Sequence, residues 1–182
     1  MPQGTLKKAG RQIKSSTVET NKEVFQIAVP HEAGHAVVAN ELRIPVQNIA
    51  FRLRGSSGTA FASLWQPDDH ELKGLTDENR LAYCTVLAGG IAGELFERNV
   101  FDQSNDDPAS SDRVLLARLT TRDIMEFVPV AKEIIHNNRR KFRQLCSRMK
   151  LRYPECRRKI ESSAQDGVYV LVTQQELVEM LR

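Results

Sequence analysis

Residues 27–39 read IAVPHEAGHAVVA, and this stretch decides both the fold class and the chemistry of the chain. Val24, Ile27, Ala28, His31, His35 and Val38 recur at helical spacing, which predicts a helix from about Val18 to Leu42. Pro30 interrupts it. A proline has no N–H to give the carbonyl four residues back, and its ring crowds that carbonyl, so one kinked helix or two abutting ones are expected, the second half restarting with Pro30 at its first position. In that second half His31 and His35 lie four residues apart. They are separated by about 40° around the helix and one turn along it, so both imidazoles can reach one metal ion from the same face. Glu32 lies beside them, where a carboxylate can take a proton from a water acidified by the metal and pass it to a leaving amine. Two ligands and a general base in this order form the metallopeptidase pattern. Five residues alone are a weak signal, but these lie on an amphipathic helix and use two of the four histidines in the chain.

The elements downstream surround this helix. Ile49, Phe51 and Leu53 alternate with Ala50, Arg52 and Arg54, then Gly55 to Gly58 turn the chain into a second extended run, Thr59 to Trp65, predicting a β-hairpin. Thr76, followed by Asp77 and Glu78, caps a helix whose apolar face runs Leu81, Val86, Leu87, Ile91, Leu95, Phe96. Gly89, Gly90 and Gly93 lie inside it, each costing roughly 0.5–1 kcal/mol relative to alanine. The compensation expected is close approach of the histidine-bearing helix across the glycine face. Ser110 and Ser111 cap a helix from Asp112 to about Glu126, Pro129 opens another to about Lys150, and Thr173-x-x-Glu176 is a capping box before Leu177, Val178 and Leu181. The expected fold is α+β and mainly α-helical, with a β-hairpin or small sheet beside the HExxH helix. A flexible basic tail, residues 1–20, precedes a single domain, 21–182.

A tetrahedral catalytic zinc needs one more protein ligand and an open position. Asp112, opening a helix after a polar loop, can turn its carboxylate toward the histidines. Asp106 and Asp107 in that loop and Glu94 on the glycine-rich helix are rivals. Without the histidine pair, Asp112 would read only as an acid favoured by the helix dipole.

Composition removes several other classes. With 182 residues, 41% hydrophobic and 27% charged, the chain suits one ordinary soluble domain, and no apolar run approaches the roughly 20 residues of a membrane span. The basic N-terminus lacks the apolar segment of a secretory signal, so the expected compartment is the cytoplasm. Cys84, Cys146 and Cys156 are odd in number and show no CxxC spacing, which argues against a disulfide framework and a cysteine-ligated zinc. Net charge is +4 over residues 1–22, −7 over 23–131, +9 over 132–159 and −3 over 160–182. The run Arg139, Arg140, Lys141, Arg143, Arg148, Lys150 could face nucleic acid, an anionic membrane or an acidic protein. No aromatic or Gly-rich RNA-binding signature accompanies it, so no nucleic-acid partner is expected and a solvated helix face is the simpler reading. His70 and His136 read as ordinary surface or packed histidines, and Trp65 as packing.

Several segments in order resemble the peptidase domain of the FtsH-type ATP-dependent zinc metalloproteases: HEAGHAVVA (31–39), VQNIAFRLRG (46–55), GTAFASLWQPDD (58–69), LTDENRLAYCTVLAGGIAGELFE (75–97), ASSDRVLLARL (109–119) and AKEIIHNNRRKFRQL (131–145). They are spread over about two-thirds of the chain. The resemblance implies zinc as cofactor with His31 and His35 as ligands, Glu32 as general base, and Asp112, in Ser110-Ser111-Asp112, as third ligand. In that family the third ligand is the aspartate of a Ser-Asn-Asp element that opens a helix; Ser104-Asn105-Asp106 fits it by letter, but Pro108 interrupts the helix that should follow. The resemblance further implies a polypeptide substrate, held by strand addition along Thr59 to Trp65, and a homo-oligomer.

This chain departs from the family in carrying no GxxxxGK[ST] phosphate loop and no transmembrane segment, in placing Pro30 before the first ligand, and in a shorter stretch between the Asp112 and Pro129 helices. Any activity is then expected to be ATP-independent and confined to peptides, loops or unfolded chains, unless a separate ATPase partner supplies the motor. The other reading is a non-catalytic peptidase-like module that binds or regulates. Glu32 argues against it, since a purely structural metal has no use for a general base.

Overall fold

The computed structural model describes residues 18–54, 57–64, 74–98, 110–162 and 167–182. Helix α1 runs Val18–Glu41 and contains Pro30. Of the two readings, the single helix through Pro30 holds and the restart does not occur. Proline removes the hydrogen bond to the carbonyl of Gln26 and crowds that carbonyl, but Pro30 is buried where α1 meets Gly93 of the neighbouring helix, and that packing outweighs the cost. The helix begins at Val18, where the periodicity placed it, so it overlaps the last three residues of the tail expected over 1–20; residues 1–17 lie outside the described residues. The helix ends in a Schellman turn. Ile44 N–H donates to the Ala39 carbonyl at 2.8 Å and Arg43 N–H to that of Asn40 at 3.2 Å, with Arg43 in the left-handed region at φ 59°.

Strands β1 (Val46–Arg54) and β2 (Ser57–Leu64) pair antiparallel, from Val46 opposite Leu64 to Arg54 opposite Ser57. The expected hairpin is present. A third strand, β3 (Gly167–Val172), pairs antiparallel with the other side of β1, giving the order β2-β1-β3. Its GVYVLV sequence has the β-branched and aromatic character of a strand, but its partner lies more than a hundred residues earlier, and sequence reading did not assign it. A register shift between Ile49 and Ala50 accompanies burial of both Leu171 and Val172.

Helix α2 (Asp77–Arg98) packs along α1. Three glycines make this possible. A Cβ on Gly34 would run into the Gly89 carbonyl, one on Gly93 into the Pro30 carbonyl, and one on Gly90 into the His31 ring. The expected compensation for glycine in a helix is therefore observed: backbone meets backbone, and the His31 imidazole occupies the space that a Gly90 side chain would need. Val29, Ala33, Val37, Ala88, Ile91 and Ala92 complete this layer, all buried. Leu81, expected on the apolar face, is 52% exposed because α2 begins before it meets α1.

The helix expected from Asp112 to Glu126 is shorter. Helix α3 covers Ser110–Leu116, and a 3-10 turn at Ile124–Glu126 follows a bend. Local side-chain bonds explain the break: Arg122 N–H donates to Thr120 Oγ1, and Asp123 and Glu126 form a capping box that starts a new turn. The helix expected from Pro129 to Lys150 is two helices, α4 (Val128–Asn137) and α5 (Arg139–Ser162), divided at Asn138, whose side chain donates to the Ile134 carbonyl at 3.1 Å. Phe142, Leu145 and Met149 of α5 are fully buried with Ile135 of α4 and Leu171 of β3. Helix α6 (Gln174–Leu181) has the expected capping box at Thr173 and Glu176, and it buries Leu177 and Leu181 but leaves Val178 44% exposed. Cys84 and Cys146 are buried free thiols. No helix among the described residues is long and apolar enough to cross a membrane. The fold is α+β and mainly helical, with the small sheet beside α1.

Candidate metal centre

Helix α1 supplies His31, Glu32 and His35, all at most 6% exposed. Helical geometry places the two imidazoles on one face, their ring centroids 4.7 Å apart and nearly perpendicular at 82°. Their outer nitrogens are both engaged by α2. His35 Nδ1 lies 2.8 Å from the Val86 carbonyl, which can only accept, so Nδ1 carries the proton and Nε2 presents a lone pair when the ring is neutral. His31 Nδ1 lies 2.7 Å from Glu94 Oε1, and the same argument turns its Nε2 lone pair inward. Glu94 is 1% exposed. It therefore stands behind His31, at the ring nitrogen opposite the one that Asp112 faces.

Asp112, in the first turn of α3, completes the group. Its Oδ2 is 3.1 Å from His31 Nε2 and 3.3 Å from His35 Nε2, and the two Nε2 atoms are 3.0 Å apart. A tetrahedral zinc with bonds of about 2.0–2.1 Å separates its ligand atoms by about 3.3–3.4 Å, so this triangle has nearly the size such an ion requires. Three electron-rich atoms so close repel one another unless positive charge lies among them. The electrostatics agree. Burial opposes protonation of His31, but the Asp112 and Glu94 carboxylates outweigh it and raise the imidazole well above its ordinary value. His35 is raised too, burial being outweighed mainly by Asp112. Burial would push Asp112 up, yet His35 and His31 hold it far below the usual carboxylate range. The Glu32 carboxylate is close enough for its charge to favour the cationic form of both rings.

Among the described residues, His31, His35 and Asp112 form the one group of three ligating side chains whose donor atoms converge. Asp106, Asp107, His70 and Trp65 lie outside the described residues. His136 is exposed on α4, its ring edge-on to Phe96 at 6.4 Å. Sequence reasoning missed the backing of the histidines by Glu94 and the Val86 carbonyl. Only the position of Glu94, one residue after Gly93 on the face that meets α1, could have suggested it.

The fold and site together define a helical domain with a buried candidate metal centre of two histidines and one aspartate, on the HExxH pattern. The chain is 31% identical over 125 residues to the ATP-dependent zinc metalloprotease FtsH of Mycoplasma mobile, a match covering 66% of this chain. The chain spans about 17% of the length of that curated relative. No protein-family model matches the chain.

Proposed function

We propose that this chain is a zinc-dependent metalloendopeptidase that hydrolyses peptide bonds in unfolded or flexible protein segments. The observation that carries the reading is the convergence of three inward-facing donor atoms, each already fixed by its helix, with Glu32 adjacent. His31, His35 and Asp112 would hold the ion, and the donor set of two imidazoles and a carboxylate suits zinc. When bound, zinc supplies a Lewis acid that polarises the scissile carbonyl and makes water acidic near neutral pH. Glu32 takes the proton of the attacking water and returns it to the leaving nitrogen. Glu94 and the Val86 carbonyl orient the imidazoles and fix their tautomers, so the ligand lone pairs need no rearrangement on loading. Similarity to an ATP-dependent protease supports the substrate class. The 182 residues contain no GxxxxGK[ST] sequence, so we assign these residues an ATP-independent hydrolysis that a separate ATPase partner could supply with substrate.

Elemental analysis of purified protein is expected to find about one zinc per chain, with Asp112→Asn and His35→Ala stripping it. Glu32→Gln should retain zinc and the fold while hydrolysis of an unfolded protein falls by about 10²–10⁴. A folded protein that takes up no zinc, or a Glu32→Gln variant with full activity, refutes the assignment.

A further inference from the structure

The outer face of α5 carries a feature that the metal centre does not use. Arg139 and Arg143 form one row along the helix, and Arg140, Arg148 and Leu151 form the next. Together with Glu179 of α6 they line an open concavity of about 870 Å³. Other cations nearby are already engaged: Arg148 and Arg152 donate to Glu176, Lys150 pairs with Glu97 at 3.2 Å, and Lys141 donates to the Leu181 carbonyl at 2.8 Å. Arg139, Arg140 and Arg143 pair with no carboxylate among the described residues, and all three are exposed. No acidic residue occupies the first turn of α5 to offset them. Leu151, on the same wall, is 75% exposed.

We propose that this groove docks an acidic, leucine-bearing segment of another polypeptide. Guanidinium groups match carboxylates and phosphates alike with paired hydrogen bonds, so three arginines without a carboxylate partner among the described residues, facing one concavity, select an anionic ligand; the apolar character of the wall decides which kind. The exposed Leu151 adds an apolar anchor that a phosphate backbone cannot use, while Glu179, the one carboxylate among the described lining residues, accepts from Gln175 at 3.2 Å and opposes any anion at its end of the groove. Among the described residues no aromatic lines the groove, so bases find no aromatic platform there and only the guanidinium planes to stack on. A nucleic acid is therefore the disfavoured occupant. No groove residue belongs to α1, α2 or α3, so the groove is separate from the candidate metal centre, and its occupancy does not depend on the proposed peptidase activity.

The test is fluorescence anisotropy on the full chain with a short labelled peptide of alternating glutamate pairs and leucines. Comparison probes are the same peptide with glutamine for glutamate, and a single-stranded oligonucleotide of equal charge. The acidic peptide should bind saturably and lose affinity as salt screens the arginines. The Arg139→Gln, Arg140→Gln, Arg143→Gln variant should bind it about tenfold more weakly, as expected for three exposed ion pairs acting together. Leu151→Ser should weaken it independently, and circular dichroism should be unchanged in both variants because every altered side chain is exposed. No binding by the unmodified chain, equal binding of the glutamine peptide, tighter binding of the oligonucleotide, or unchanged affinity in the triple variant each overturns the proposal.

Discussion

Gly34→Ala tests the packing on which the metal centre stands. A Cβ at position 34 would lie 2.9 Å from the Gly89 carbonyl carbon and 3.2 Å from the Gly93 Cα, and closer still to the Gly89 oxygen. Unstrained carbon contacts need about 3.5–4.0 Å, so α1 and α2 would have to part by on the order of 1 Å. Neither obstacle is a side chain that can rotate away; both are backbone in helix interiors. Alanine gains up to about 1 kcal/mol in helix propensity, whereas forced overpacking costs about 1–3 kcal/mol or more, with the upper end expected where only backbone can yield. The net loss should be about 2 kcal/mol, or about 4–8 °C in Tm for a chain of this size. Parting the helices also draws Glu94 from His31 and the Val86 carbonyl from His35, so zinc affinity should fall about 10–100-fold. Thermal unfolding by circular dichroism and zinc competition against a chromophoric chelator give the two readouts. Gly74→Ala is the control, because a Cβ there meets nothing within 4 Å. If Gly34→Ala unfolds at the parent temperature and holds zinc equally well, the close-packed glycine face does not support the site.

Two further predictions follow from buried and bridging carboxylates. Glu94→Gln keeps an acceptor on His31 Nδ1 but removes the charge that makes the ligand more basic, so zinc affinity should drop by about tenfold or more with little change in fold, read by the same chelator competition; unchanged affinity would show that Glu94 only fills space. Glu176 accepts from Arg148 at 2.7 Å and from Arg152 at 3.0 Å while capping α6, and its carboxyl lies at about 2 because these bonds outweigh its desolvation. Its folded value is depressed, so its contribution is fully present above the unfolded value near 4.5 and is lost as pH falls toward 2. After allowance for screening at a partly exposed site, this is on the order of 1–2 kcal/mol. Glu176→Gln should therefore lower stability at pH 7 and flatten the acid limb of a urea-melt series; an acid limb as steep as the parent's would assign that slope elsewhere.

The sequence by itself determined the chemistry at the level of the helix. Spacing of four residues places His31 and His35 on one face wherever the helix packs, and the glycines of α2 require a close neighbour because a helix interior does not otherwise tolerate three of them. Capping at Thr173 is equally local, satisfied by residues three apart. What depended on distant contacts was not legible. Pro30 was tolerated inside α1 because its close packing against Gly93 of α2 outweighed the cost of a proline in a helix interior, and β3 found its partner only through long-range pairing with β1. Helix α3 stopped at Leu116 and a new turn started where Asp123 caps it, and α4 gave way to α5 at Asn138, whose side chain bonds the Ile134 carbonyl; periodicity does not register such side-chain competition with the backbone. At the site, Asp112 and Glu94 were both carboxylates of plausible position. Tertiary structure alone decided that Asp112 faces the two Nε2 atoms and Glu94 the opposite edge of His31, because that depends on which helix approaches the imidazole from which side.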